Sequence, residues 1–465
     1  AEYMGVRGGE CSPVGFHYNL TPLFYKRLLK VELLDCTPSF FSLKMIRFFL
    51  FIFLVTFRVP LTLSALSASF SLQPRRVSRS FNTRQRILQT TAKFAAKYSE
   101  ALIVSLAVGT PWQEQKMALD TGSQLSWVQC EKLKPTQTGG SGSGGGSLSI
   151  GSFNPTVSSS FTSLSCFTSL CKPHVPDYSI PTQCDNMERC HYSYFYADGT
   201  LAEGNLVTEK LALSSTPLIL GCSRGSSDDN GILAMNMGRL SVLSQLNITK
   251  FSYCVPARGV NGSSTGAFVI GESMIAVRNY NYVPLLTYPD SKRMPNLDPF
   301  AYTVPLRGIR VGAAMLNVSS EWFRADAGGS GQTIMDSGSE LTYLVDEAYV
   351  RVREEVVKRV GAVMKRGFSY GGVADMCFDG AVAAVAALRV GGIGLVFDGG
   401  AEIAVGKESV WADAGNGVRC VAIGRSSLLG SAGNIIGNVY QRNLWIEFDV
   451  SRRRMGFAKA DCGKN

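Results

Sequence analysis

The chain is poor in histidine, in metal-type cysteine pairs and, past its first hundred residues, in net charge. Only His17, His174 and His191 occur in 465 residues. A Ser-His-Asp triad would have to use one of the last two, and no Gly-x-Ser-x-Gly elbow stands in a strand-to-helix setting to serve it. Both read as ordinary surface or strand histidines. None of the ten cysteines from Cys130 onward has Cys-x-x-Cys spacing, which argues against zinc ribbons and redox pairs. No metal and no other cofactor is expected. The formal charge is +10, but residues 1–97 hold 14 Lys/Arg against 4 Asp/Glu, which leaves 32 of each sign in the remainder. A body without basic excess lacks the charge that drives phosphate binding, so no nucleic-acid partner is expected.

Long apolar runs are also scarce. The one of note, Phe48 to Phe57, follows Lys44-Met45-Ile46-Arg47 and leads to Ala65, Ser67 and Ala68. A basic start, a short apolar core and a small-residue exit read as a secretory signal over residues 45–67, with cleavage expected after Ser67. The run is short for a membrane span and Arg58 ends it, so no stable span is expected, a retained anchor being the alternative. Residues 1–44 are read as upstream or unstructured sequence, with Met45 as the expected start. Residues 68–97 are basic, with Arg75, Arg76, Arg79, Arg84, Arg86, Lys93 and Lys97 and no acid. They are a disordered tail or a pro-segment whose cations pair with carboxylates at neutral pH and release them in acid.

What remains can fold, because 45% of residues are apolar and only 18% charged, and its length suits two lobes better than one core. Short β-type runs dominate. Ala101–Val108 stops at Gly109-Thr110-Pro111, Tyr302–Val311 alternates, and Leu395–Phe397 with Ala401–Val405 flank Asp398-Gly399-Gly400 as a hairpin. Leu444–Val450 is a further strand. Helices are few. Asp346 can cap one within 346–366 whose inner face carries Val352, Val356, Val360 and Val363. A second is expected over 240–246. Gly139–Gly151 is rich in Gly and Ser and reads as a surface loop. Ten cysteines behind an export signal read as disulfides, with buried free thiols as the alternative. Asn247, Asn261 and Asn317 stand in glycosylation sequons.

One stretch is written twice. Ala118-Leu119-Asp120-Thr121-Gly122-Ser123-Gln124-Leu125-Ser126-Trp127 is echoed by Ile334-Met335-Asp336-Ser337-Gly338-Ser339-Glu340-Leu341-Thr342-Tyr343. Hydrolysis of a peptide by water needs a base for the water and an acid for the carbonyl oxygen. Two adjacent carboxyl groups supply both, because their mutual repulsion keeps one protonated. Asp120 and Asp336 are the candidate catalytic pair. Gly122 and Gly338 let the backbone come close. The hydroxyls of Thr121, Ser123, Ser337 and Ser339 are expected to orient the carboxylates.

On these repeats the chain from about Tyr98 to Cys462 resembles the pepsin-like aspartic endopeptidases of the plant nucellin-like type, nearest the promotion-of-cell-survival aspartic proteases. Phe251-Ser252-Tyr253-Cys254, Gly331 to Gly338, Gly400 to Val405 and Asn443 to Asp449 carry the likeness. The resemblance implies a mostly β, bilobal fold with lobes at 98–285 and 286–465 and a cleft between them. It also implies an extended protein or peptide substrate, a monomer, acid-favoured turnover and residence in the secretory pathway, the extracellular space or apoplast first, with ER or vacuole as alternatives. Tyr194-Phe195-Tyr196-Ala197-Asp198-Gly199-Thr200 matches the flap over the substrate, with Tyr196 as the flap tyrosine, Asp198-Gly199 as its turn and Trp127 as its hydrogen-bond partner. By the same analogy Cys377 pairs with Cys420. Ile435-Ile436-Gly437 matches the segment behind the second aspartate. Its counterpart, Ile232-Leu233-Ala234, has Ala for the usual Gly, which is expected to crowd the first aspartate's turn. The usual second cysteine soon after Cys130 is missing, and Trp112 replaces a common Pro. A catalytically silent binding protein of the same fold, like inhibitors of cell-wall-degrading enzymes, is the alternative; the two complete Asp-Thr/Ser-Gly motifs oppose it.

Overall fold

The computed structural model describes residues 92–98, 101–130, 152–171, 180–197, 199–224, 230–257, 264–272, 279–288 and 294–464. The segments read as upstream sequence (1–44), export signal (45–67) and most of the basic stretch 68–97 lie outside them. So do the Gly/Ser loop, Asp198 and Asn261.

The fold is mostly β and of the pepsin-like class. Its largest sheet has 15 strands and runs through both halves of the chain. The strand Ala92–Tyr98 pairs with Ser264–Ile270 on one side and Leu102–Val108 on the other. The last residues of the basic stretch, from Ala92 on, therefore belong to the body and not to a tail; the aromatic Phe94 and Tyr98 suit a strand. The strand Lys250–Cys254 of the first half pairs antiparallel with Leu444–Asp449 of the second, Tyr253 opposite Ile446. This shared seam holds a cluster of buried rings. Phe251 stacks on Phe448 at 5.0 Å and Tyr302 lies 4.1 Å from the same ring. Burying each such side chain stabilises the fold by roughly 1.5–3 kcal/mol.

Each half repeats one local topology. The strand Gln113–Asp120 runs parallel to Gly231–Ala234, which pairs antiparallel with Trp127–Gln129. In the second half Thr333–Met335 runs parallel to Asn434–Ile436, which pairs antiparallel with Thr342–Leu344. An apolar strand is thus threaded between the two legs of each Asp turn.

Helices are short and peripheral. The first, α1, spans Val242–Gln245, with Ser241 capping it. The second, α2, spans Asp346–Val360. Asp346 is its first residue and not its cap; Val345 takes the cap position without a side-chain bond, and Asp346 contributes negative charge to the first turn. Val352, Val356 and Val360 are buried as their spacing requires, whereas Val363 falls in a following 3-10 turn and is exposed. A third helix, α3, spans Gly380–Val390. The expected hairpin forms from Ile393–Phe397 and Glu402–Val405 around Asp398–Gly400.

All ten cysteines from Cys130 onward are in disulfides. Cys377 is bonded to Cys420. The missing neighbour of Cys130 is replaced by Cys222, across adjacent parallel strands. Cys166–Cys184 and Cys171–Cys190 interleave beside the flap, and Cys254–Cys462 fastens the chain's end to the seam.

Candidate active site

Asp120 ends its strand and Asp336 follows its own by one residue, so the same threaded turn delivers both carboxylates to the boundary between the lobes. They are 5% and 8% exposed. Each is held by its own turn. Gly122 N–H donates to Asp120 Oδ1 at 2.8 Å, and Gly338 N–H to Asp336 Oδ1 at 2.9 Å. Ser123 Oγ donates to Asp120 Oδ2 and Ser339 Oγ to Asp336 Oδ2.

The glycines serve the opposite lobe. A Cβ on Gly122 would stand 2.9 Å from Asp336 Oδ1, and one on Gly338 would stand 2.6 Å from Asp120 Cγ. Any side chain at either position would wedge the two carboxyl groups apart. Their closeness has an electrostatic consequence. Burial, then the charge of Asp336, raises the Asp120 carboxyl well above the usual carboxylate range, against the opposing bonds from Ser123 and Gly122. The pair therefore retains a proton where isolated aspartates have lost theirs.

Thr121 and Ser337 do something other than orient carboxylates. Ser337 N–H donates to Thr121 Oγ1 at 2.9 Å, and Thr121 N–H donates to Ser337 Oγ at 3.1 Å. Ser337 Oγ then donates to Leu119 O, and Thr121 Oγ1 to Met335 O. These buried crossed bonds lock one Asp turn to the other. Their partners lie more than two hundred residues away, which is why local reading assigned them to the nearest acid.

On the flap side Tyr196 follows the strand Cys190–Phe195, and its N–H donates to Thr200 O at 2.9 Å across the turn. Gly199 there has φ +89°, a conformation that favours glycine. Trp127 Nε1–H donates to the Tyr196 hydroxyl at 2.7 Å, so the pairing expected of these two residues is present. Tyr194, two residues back on the same face, packs edge-on to Tyr196 at 4.9 Å and brings its hydroxyl within reach of Ser123.

Residues that the sequence reading missed complete the frame. Ser126 Oγ accepts from Ala234 N–H at 2.9 Å, and Thr342 Oγ1 from Gly437 N–H at 3.3 Å. Both hydroxyls sit six positions after their aspartate, so the repeat itself carried that signal. Gln441 Nε2 donates to Asp336 O, and Tyr253 OH donates to Gln441 Oε1; nothing in the local pattern marked them. Ala234 does not disturb its turn as expected, since Asp120 keeps the same glycine N–H and serine hydroxyl bonds as Asp336, the glycine bonds agreeing to within a tenth of an ångström. Of the sequons, Asn247 and Asn317 are exposed. Among the described residues no group of acidic, His and Cys side chains is arranged to hold a metal ion.

A threaded Asp turn in each half, crossed hydroxyl bonds between them and a hairpin tyrosine bonded to Trp127 define a pepsin-like protein. Comparison with known proteins places it further. Residues 102–272 match the family model described as xylanase inhibitor N-terminal, and residues 301–459 the one described as xylanase inhibitor C-terminal. The chain is 33% identical to aspartic proteinase PCS1 of Arabidopsis thaliana, over 80% of this chain and 84% of that protein. It is 32% identical to aspartic proteinase nepenthesin-1 of Nepenthes gracilis, over 78% of each. Among solved structures, edgp aligns with TM-score 0.56 at 16% identity over 80% of this chain and 96% of that one. Soybean basic 7S globulin aligns with TM-score 0.53 at 15% identity, over 79% and 94%; at such identity these two speak for the fold alone. The chain belongs to the plant family of pepsin-like aspartic proteinases.

Proposed function

We propose that this protein is an aspartic-type endopeptidase that hydrolyses an extended peptide held between Asp120, Asp336 and Tyr196. The reciprocal packing of Gly122 against the Asp336 carboxylate and Gly338 against that of Asp120 carries this reading. It supports a pair that shares one proton. A water between the two carboxyls loses its proton to the ionised member as its oxygen attacks the scissile carbonyl. The protonated member gives its proton to the carbonyl oxygen, forming a tetrahedral diol. Transfer of the first proton on to the amide nitrogen lets the C–N bond break, and as it breaks one diol hydroxyl returns its proton to the other carboxylate, which regenerates the shared-proton state.

The surrounding residues act by holding this geometry. Ser123, Ser339 and the N–H groups of Gly122 and Gly338 orient the carboxylates, while Thr121 and Ser337 fix one lobe against the other. Tyr196, set by Trp127, closes over the substrate together with the Asp198-Gly199 turn. The lobes follow the chain at 92–285 and 286–465, with the strands of the seam shared between them. The enzyme works as a monomer, without a cofactor and without nucleic acid. Among the described residues no helix is long and apolar enough to cross a membrane. Five disulfides suit an oxidising compartment, and we place the protein in the secretory pathway, outside the cell. Asn247, Asn261 and Asn317 are its glycosylation sites, and residues 68–91 are a pro-segment or tail.

The test is cleavage of a denatured protein by residues 68–465 between about pH 3 and about pH 7, with and without pepstatin. Acid-favoured cleavage that pepstatin blocks is expected, because the pair must keep its proton. A folded, processed sample that cleaves nothing would turn the reading to a silent binding protein of this fold.

A further inference from the structure

Asp298 has no part in the machinery described so far, yet its segment bridges the two half-sites. Two residues on, Phe300 O accepts from Met237 N–H at 2.9 Å, just past Ala234. Tyr302 O accepts from the N–H of Met335, the residue before Asp336, and Tyr302 OH donates to Met235 O. The backbone of Asp298 is fixed on both sides by one buried side chain: its N–H donates to Gln332 Oε1 at 2.9 Å, and its carbonyl accepts from Gln332 Nε2 at 2.8 Å. Asp298 Oδ1 accepts from Phe300 N–H at 2.8 Å. Among the described residues no cation pairs with this carboxylate, although it is half-buried.

Its surroundings say where it points. The carboxyl lies within electrostatic reach of both Asp336 and the Tyr194 hydroxyl on the flap strand. A group near both the second aspartate and the flap strand borders the space that an extended peptide fills. Room exists beside it, in a cavity of about 310 Å³ that Asp298 shares with Leu286, Tyr288, Thr303 and Arg453.

We propose that Asp298 is a specificity-determining residue that receives a lysine or arginine side chain of the substrate close to the scissile bond. The inference rests on the endopeptidase reading. A half-buried carboxylate without a counter-ion is held at a cost in solvation, and a substrate cation supplies the missing partner. Because Gln332 and Phe300 already fix the acid, little ordering entropy is lost when the pair forms. Burial first, then the charge of Asp336, raises the Asp298 carboxyl to about 6, against the N–H bonds from Phe300 and Ala301. The groups that face it are Asp336 and Tyr194 in the cleft and Tyr288 and Arg453 around the cavity. Asp298 is therefore neutral in strong acid and charged nearer neutrality, so the preference for a cation grows as pH rises through about 6.

The experiment measures binding of peptides that carry a hydroxyethylene group in place of the scissile amide. Lys, Leu or Glu is placed in turn at each position flanking that group. At about pH 7 the wild type is expected to bind the Lys peptide roughly tenfold tighter than the Leu peptide at one position. Asp298→Asn should abolish that ratio and Asp298→Glu should keep it, while in the wild type the ratio should shrink at about pH 4. Equal affinities at every position, or a ratio unchanged in Asp298→Asn, overturns the proposal. Cleavage of the corresponding all-Leu amide peptide is measured alongside, so failure of this inference is separable from failure of the endopeptidase reading. Should Asp298→Asn not fold, the pH dependence of the wild-type ratio decides.

Discussion

The two half-sites carry the same carboxylate geometry on different supports. At the first, Met235 N–H donates to Asp120 O at 2.8 Å, so the threaded chain itself holds the turn. At the second, the chain after Gly437 enters a 3-10 turn, Asn438–Gln441, and the Gln441 side chain reaches back to Asp336 O at 3.0 Å. The first half carries Ala234 in the threaded position, fully buried. The second cannot, because a Cβ on Gly437 would stand 2.1 Å from Leu341 O. What the symmetry of the site conserves is the placement of the oxygens, and each lobe reaches it with its own backbone path.

The largest expected effect tests the part of the comparison that is symmetric. Asp120→Asn and Asp336→Asn should each lower kcat by roughly 10³–10⁴-fold while circular dichroism stays native. A variant of either kind that keeps a tenth of wild-type turnover would break the pairing. Next comes the asymmetry of the threaded strands. Gly437→Ala should destabilise by about 1–3 kcal/mol, since its methyl meets fixed backbone. Ala234→Gly should cost at most about 1 kcal/mol. Urea unfolding of both variants measures this, and equal losses would refute the different paths.

A smaller contrast separates catalysis from support. Trp127→Phe removes the donor to Tyr196 and should lower kcat/KM about tenfold with little change in stability. Tyr253→Phe frees Gln441 behind Asp336 and should cost about 1 kcal/mol of stability, with a smaller change in kcat/KM. Exchange of the two readouts would show that the flap is the structural element and Gln441 the functional one. The smallest effect is linkage. The Asp120 carboxyl binds its proton more tightly folded than unfolded. Its contribution is present at low pH and is lost as pH rises through the folded value. The thermal midpoint should fall by a few degrees from about pH 5 to about pH 8, and Asp120→Asn should flatten that slope.

Much of this site was legible because its signal is local and repeated. Each aspartate, its glycine and its serine three residues on act within one turn, whereas the pairing of Trp127 with Tyr196 was legible only through the resemblance to the pepsin-like enzymes. The crossed bonds of Thr121 and Ser337 were not legible, because a hydroxyl beside an acid gives no sign that its partner is in the other lobe. The helix α3 was missed since its sequence, GAVAAVAALRV, has apolar or small residues on nearly every face and so no helical period to read. The first strand was taken as tail because the basic residues before it colour the whole segment, while one of its two partner strands, Ser264–Ile270, comes much later in the chain. Asp298 was invisible for the same reason: its meaning depends on Gln332, Asp336 and the flap strand meeting in space.

The bond between Cys254 and Cys462 has a consequence for molecular integrity. It joins the end of the first half to the end of the chain, so the whole second half lies inside one covalent loop. A single backbone cut anywhere between those residues opens the loop but releases no fragment. Such a nicked form would keep both aspartates in one molecule, run as a single species on a non-reducing gel and separate into two polypeptides only after thiol treatment. An enzyme that cuts peptides can thus be cut once in its own second lobe and lose none of its parts.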